Sequence, residues 1–222
     1  DRSRRNEEKI SLAKVRVRQH VNPLSHKYRH PIAPPDWNQV YQDMTQPLHL
    51  DIGCARGKFL LQMAQVYPEI NFLGIEIRQP LVIEANQERE RLGLSNLAFV
   101  FGNMNVAPEI LLQSLPADKL FWVSIQFPDP WFKQRHSKRR VVQPELVIAL
   151  AKYMVAGGWV FLQSDVESIA LEMTERFQAH PNFVRQHQTP WLEENIFPVP
   201  TEREKSTYNK GQPVYRSLFR VR

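Results

Sequence analysis

From residue 48 onward the chain alternates short apolar runs with stretches of helical periodicity. LHLDI (48–52), FLGIEI (72–77), LAFVF (97–101), LFWVSIQF (120–127) and GWVFLQS (158–164) are short, continuously apolar and rich in β-branched or aromatic residues, which predicts buried strands. Between them, 57–67, 79–93, 105–115 and 143–156 carry helical spacing, and 166–180 adds one more helix. Strand then helix, repeated, predicts a doubly wound α/β sheet that is mostly parallel. NFVRQHQT (182–189) and PVYRSLFRV (213–221) are predicted to close the sheet as an antiparallel hairpin, separated by a loop over 190–212. Before residue 48 the pattern is different. EEKISLAKVRVRQHV (7–21) is compatible with a short helix, but NPLSHKYRHPIAPPDW (22–37) holds too many prolines to continue it. The expected organisation is a basic arm over 1–47 and one α/β domain over 48–222.

Composition narrows the setting. The 222 residues are 42% hydrophobic, enough for one sizeable core, and the formal charge of +6 favours a polyanionic partner. A single cysteine, Cys54, excludes an internal disulfide and a cysteine-built zinc cage, which points to a reducing, cytoplasmic setting. No apolar stretch approaches the roughly 20 residues that span a bilayer, and the opening DRSRRNEEKI is too polar for a signal peptide. Seven histidines are present, none at ligand spacing with acids or cysteine, so no metal site is expected.

LHLDIGCARGKFLLQMA runs from strand through glycine loop to amphipathic helix. Its spacing is G-x-x-x-G, which matches neither the dinucleotide fingerprint nor the phosphate loop. Gly53 lets the backbone turn close to a ligand, with Asp51 just before it in the strand. Glu76 ends the second strand, where an acid accepts from ribose hydroxyls, and Asn103 follows the third, where an amide reads an adenine edge. Each alone is more simply a cap or a solvated loop residue; their order along the chain describes a nucleoside site at the carboxyl edge of the sheet. A nucleoside site without a phosphate loop favours S-adenosyl-L-methionine, with Asp51 facing the amino-acid part of the cofactor. An NAD-dependent oxidoreductase is the second choice.

The fourth strand leads into FPDPWFKQRHSKRR (127–140), one carboxylate among prolines and aromatics in front of a dense cationic run. Together with LDIGCARGKFL, FLGIEIR and TEREKSTYNKGQPVYRSLF, it resembles the tRNA (guanine-N(7))-methyltransferase family over about residues 14–222. The resemblance implies a Rossmann-like class I methyltransferase fold with a seven-stranded sheet. It also implies methyl transfer from S-adenosyl-L-methionine to N(7) of a guanine in the tRNA variable loop. Asp51, Glu76 and Asn103 match the family's cofactor-holding positions, and Asp129 matches the acid between cofactor and substrate. Lys133, Asp165 and the segment Thr201 to Glu204 match positions assigned to tRNA. Asp165 reads equally well as the N-cap of the helix after it. Phe127 and Trp131 are expected to flank the base. Lys133, Arg135, His136, Lys138, Arg139 and Arg140 are expected to meet phosphates, with Arg16, Arg18, His20 and Lys27 adding to that surface. Glu204 is expected to accept from the guanine N(1)–H and amino group. Arg203 stands where relatives often carry an aromatic, Asn103 where many have Asp, and Phe132 where proline is frequent; Cys54 is read as a small packing residue. Two rivals remain: methylation of another base or RNA, and a catalytically idle RNA-binding subunit, against which the acids at 51, 76 and 129 argue.

Overall fold

A computed structural model describes residues 20–222. The helix expected over 7–21, with Arg16 and Arg18, lies almost wholly outside the described residues. Seven strands form one sheet in the order β3-β2-β1-β4-β5-β7-β6. They are β1 Leu48–Ile52, β2 Asn71–Glu76, β3 Leu97–Phe101, β4 Leu120–Gln126, β5 Trp159–Ser164, β6 Phe183–Arg185 and β7 Tyr215–Val221. β1 to β5 are parallel, and β7 enters antiparallel between β5 and β6. The strand order turns back at β1 and β4, whose carboxyl ends therefore open a crevice in which such folds bind ligands.

The helices follow from amphipathic spacing. Among the described residues, α1 Trp37–Val40, α2 Lys58–Val66, α3 Gln79–Arg91, α4 Pro108–Ser114, α5 Pro144–Tyr153, α6 Glu167–Gln178 and α7 Glu202–Asn209 complete the regular structure with two short 3₁₀ turns, His26–Tyr28 and Gln134–Arg139. Alternation along the strands sends Phe72 to one face and Leu73 and Ile75 to the other. One face is covered by α4, α5 and α6 through residues such as Leu111, Leu146, Leu150 and Phe177. The opposite face is covered by α2 and α3 through Phe59, Leu60, Met63 and Val82.

Two departures from the sequence reading matter for the site. The segment 190–212, expected as a loop, folds back over the sheet and contains α7. Phe197 packs there against His49, Phe59 and Phe161, which makes the connection part of the core. TERE is a capping-box pattern, and Thr201 caps α7 by accepting from the Glu204 amide. The second departure is at the other end. Ile32, Trp37 and Tyr41, grouped with the arm, are buried in the core, and the Tyr41 hydroxyl donates to the Phe72 carbonyl.

Candidate active site

The carboxyl ends of β1 to β4 bring Gly53, Glu76, Asn103 and Asp129 around one cavity of about 120 Å³, which Val21, Pro23, Phe127, Trp131 and Arg139 also line. Gly53 has φ +82°, and a Cβ there would meet nothing within 4 Å, so the backbone faces open space over the first turn. Gly57, at the N-cap of α2, is fixed by packing: a Cβ would lie 2.4 Å from the Phe99 ring.

Glu76 is buried at the end of β2. One carboxylate oxygen accepts from the Ala55 amide at 2.9 Å and the other from the Arg78 amide at 3.0 Å, with the Arg78 guanidinium laid against both. Asn103 donates to the Pro23 and Tyr28 carbonyls at 3.1 and 3.4 Å and accepts from the Asn105 amide. The amide expected to read adenine thus holds the chain before β1 across the cavity. The His20 imidazole reaches the same place, with Nδ1 at 2.8 Å from the Asp129 carboxylate. The cavity is well below the roughly 300 Å³ at which ligand pockets begin, with Val21, Pro23 and the His20–Asp129 contact at its edge. Its lining still fits a nucleoside: an acid at the ribose position, an amide at the adenine position and a glycine turn with room above it.

Asp51 lies behind this wall, buried. Its Oδ1 accepts from the Ser124 hydroxyl at 2.6 Å and from the Gln126 amide at 3.1 Å. Its pKa is raised to about 6: burial pushes it up, those two hydrogen bonds hold back the rise, and the Glu76 carboxylate adds to it. His49 stands 2.7 Å from the same Ser124 oxygen, and burial lowers its pKa to about 3, so it is neutral. Because the Ser124 proton goes to Asp51, the His49 Nε2 is the protonated nitrogen.

The loop after β4 is strained and latched. Phe127 and Trp131 have φ +50° and +41°, left-handed values that bracket Pro128-Asp129-Pro130. Arg140 donates to the Pro130 and Trp131 carbonyls at 3.0–3.3 Å and pairs with Glu172 of α6 at 2.9 Å. Glu172 also pairs with Arg176 at 2.8 Å. Arg140 is therefore a clamp for the loop, its guanidinium engaged by these carbonyls and by Glu172. Arg139 lies over the Trp131 ring at 4.9 Å, and His20 and His136 pack against that ring. Trp131, expected to flank the base, is half-buried and lines the cavity, while Phe132 is the open aromatic of the loop, 72% exposed. Lys133, Arg135 and Lys138 are exposed beside it.

The remaining sequence candidates gather elsewhere. Asp165 accepts from Arg203 at 2.5 Å, and the N-cap of α6 is Val166, so Asp165 is not the cap. The Arg203 guanidinium is correspondingly engaged. Glu204 is 2% exposed and holds Arg216 at 2.6 Å and Asn195 at 2.8 Å. Both of its carboxylate oxygens are thus engaged inside the protein. None of Asp165, Thr201 and Glu204 lines the cavity at Asp129. Glu172, Gln126 and Gln163 were missed by the sequence reading, and Arg140 was expected to meet phosphates. The glutamines had a signal, each being a polar residue inside an otherwise apolar buried strand.

A family model described as "Putative methyltransferase" matches residues 45–217. A tRNA (guanine-N(7)-)-methyltransferase of Microcystis aeruginosa is 99% identical over 211 residues, 95% of this chain and 100% of that protein. The chain belongs to the tRNA (guanine-N(7)-)-methyltransferase family. A member from Synechocystis is 61% identical, covering 94% of this chain and 98% of its own length. Among solved structures, the 16S rRNA methyltransferase KamB shares the fold with a TM-score of 0.58 at 12% identity, covering 86% of this chain and 95% of that one. The class I sheet expected from the sequence is thus the sheet of this family; Glu76 at the end of β2 and Asp129 after β4 line one cavity, and Asp51 of β1 is buried behind it.

Proposed function

We propose that this protein transfers a methyl group from S-adenosyl-L-methionine to N(7) of a guanine in tRNA, in the variable loop, in the cytoplasm. The observation that carries the reading is the convergence of Gly53, Glu76, Asn103 and Asp129 on one cavity beside an exposed aromatic and exposed cations. Family membership supports the same reaction. Bound there, the cofactor supplies an electrophilic methyl on a sulfonium.

Guanine N(7) carries an in-plane lone pair and no proton, so no general base is needed. What the protein contributes is position and charge. Asp129 faces the cavity from a loop whose geometry is fixed by two prolines and by the Arg140 clamp. Its carboxylate orients the base and stabilises the positive charge that grows on the ring as N(7) is alkylated. Phe132 offers a face for stacking, and Lys133, Arg135 and Lys138 meet phosphates around the extruded nucleotide. Glu76 holds the ribose and Asn103 the adenine once the segment around His20, Pro23 and Tyr28 is displaced. The His20 contact with Asp129 gives way to the base in the same movement.

The test is labelled-methyl transfer to unmodified tRNA, followed by mild borohydride and aniline cleavage, which cuts at N(7)-methylguanosine. A single cut in the variable loop is expected. Label without a cut discards N(7), and no label with any tRNA, despite cofactor binding, discards tRNA as the substrate.

A further inference from the structure

A row of buried polar side chains crosses four strands and ends at Asp51. Gln126 and Gln163 are partners in the β4–β5 register, and Gln163 and Arg216 in the β5–β7 register. The Arg216 Nε donates to Gln163 Oε1 at 3.0 Å, Gln163 Nε2 to Gln126 Oε1 at 2.9 Å, and Gln126 Nε2 to Asp51 Oδ1 at 3.1 Å. A guanidinium only donates, so it fixes the orientation of Gln163, which fixes Gln126, which leaves an N–H for Asp51. The bonds run head to tail from a cation to a carboxylate, the arrangement in which each polarises the next. All four side chains are buried.

The far end is anchored by α7. The remaining Arg216 donors go to the Glu204 carboxylate, the Tyr208 hydroxyl and the Glu193 carbonyl. Glu204 itself is placed by the Thr201 cap of its own helix and by Asn195.

We propose that Gln126, Gln163 and Arg216 are positioning residues that couple Asp51 to α7, so that Thr201 and Glu204 act on the cofactor site through the sheet without touching the base. Anchoring Arg216 at Glu204 holds Gln163 and Gln126 in the orientation that presents Asp51 to the cofactor's amino-acid moiety. Movement of α7 when RNA docks would then change cofactor affinity, and the reverse holds by linkage. This rests on S-adenosyl-L-methionine binding beside Asp51.

The test is a double-mutant cycle on the Kd of S-adenosyl-L-methionine, measured calorimetrically with wild type, Gln163→Met, Glu204→Ala and the double variant. Each single change is expected to weaken binding about ten-fold, the size of one charge-linked hydrogen bond. The double variant is expected to match either single one, because a broken relay cannot be broken twice. Losses that multiply to about a hundred-fold, or a Glu204→Ala Kd equal to wild type, overturn the coupling. If Gln163→Met does not fold, Gln163→Glu keeps the volume and the Arg216 acceptor but has no donor for Gln126. The same ten-fold loss is then expected, and a wild-type Kd overturns the proposal. Absence of binding by the wild type itself removes the cofactor reading, an outcome distinct from failure of the relay.

Discussion

Arg140→Ala separates two meanings of a basic loop. Sequence alone groups Arg140 with five neighbours as phosphate ligands, whereas in the structure it clamps the Pro130 and Trp131 carbonyls to Glu172. Hydrogen bonds to a charged group contribute about 1.5–3 kcal/mol each, and the left-handed Trp131 needs about 1–3 kcal/mol of restraint from its surroundings. Allowing the Glu172 side chain to keep Arg176, the loop loses about 2–3 kcal/mol of preference for its present geometry. At about 1.4 kcal/mol per ten-fold, the single-turnover rate should fall by about 30- to 140-fold. Binding of tRNA, followed by filter retention over a salt series, should keep the wild-type slope, because no phosphate contact is lost. A rate within about three-fold of wild type, or a loss carried wholly by tRNA affinity with a flatter salt slope, refutes the clamp.

Lys133→Ala, Arg135→Ala and Lys138→Ala should each weaken tRNA binding and reduce the salt slope by about 0.7–0.9, leaving the single-turnover rate at saturating tRNA nearly intact. Phe132→Ala should raise the KM for tRNA by about five- to thirty-fold, as expected for loss of one base–aromatic stack, with Phe132→Trp restoring it. Because Phe132 is exposed, thermal unfolding should not change, and a lowered Tm would show a packing role instead. Cofactor affinity should depend on Asp51 being ionised. Burial raises its pKa to about 6, so affinity should fall as pH drops through that value. Asp51→Asn should bind weakly and without that inflection. For stability the sign is opposite: a raised carboxylate pKa favours the fold below the unfolded value of 3.8 and loses that contribution as pH rises through about 6.

The parallel sheet was legible because buried parallel strands leave continuous apolar runs, and each of the five lies within a residue or two of its expected place. α7 was not, although T-x-x-E is a capping signature: its helix is strongly polar, so no apolar stripe announced it. The residues converging at the cavity were legible because strand-end positions map directly onto one sheet edge. Side-chain allegiance was not. Nothing local distinguishes Arg140, held by a helix 32 residues later, from the exposed Lys138, and nothing distinguishes half-buried Trp131 from open Phe132. Asp165, Thr201 and Glu204 stood out through a resemblance of sequence; the exposed Arg203 that pairs with Asp165 and the buried Arg216 that pairs with Glu204 become visible only in the folded chain.

The central claim is that the carboxylate in the loop after β4 acts on the base and not on the cofactor. Asp129→Ala, assayed for single-turnover methyl transfer and for the Kd of S-adenosyl-L-methionine on the same preparation, tests it most directly. A rate lowered by about 10²–10³ with the Kd within about two-fold of wild type is the predicted result. An unchanged rate, or a loss explained by cofactor affinity alone, contradicts it.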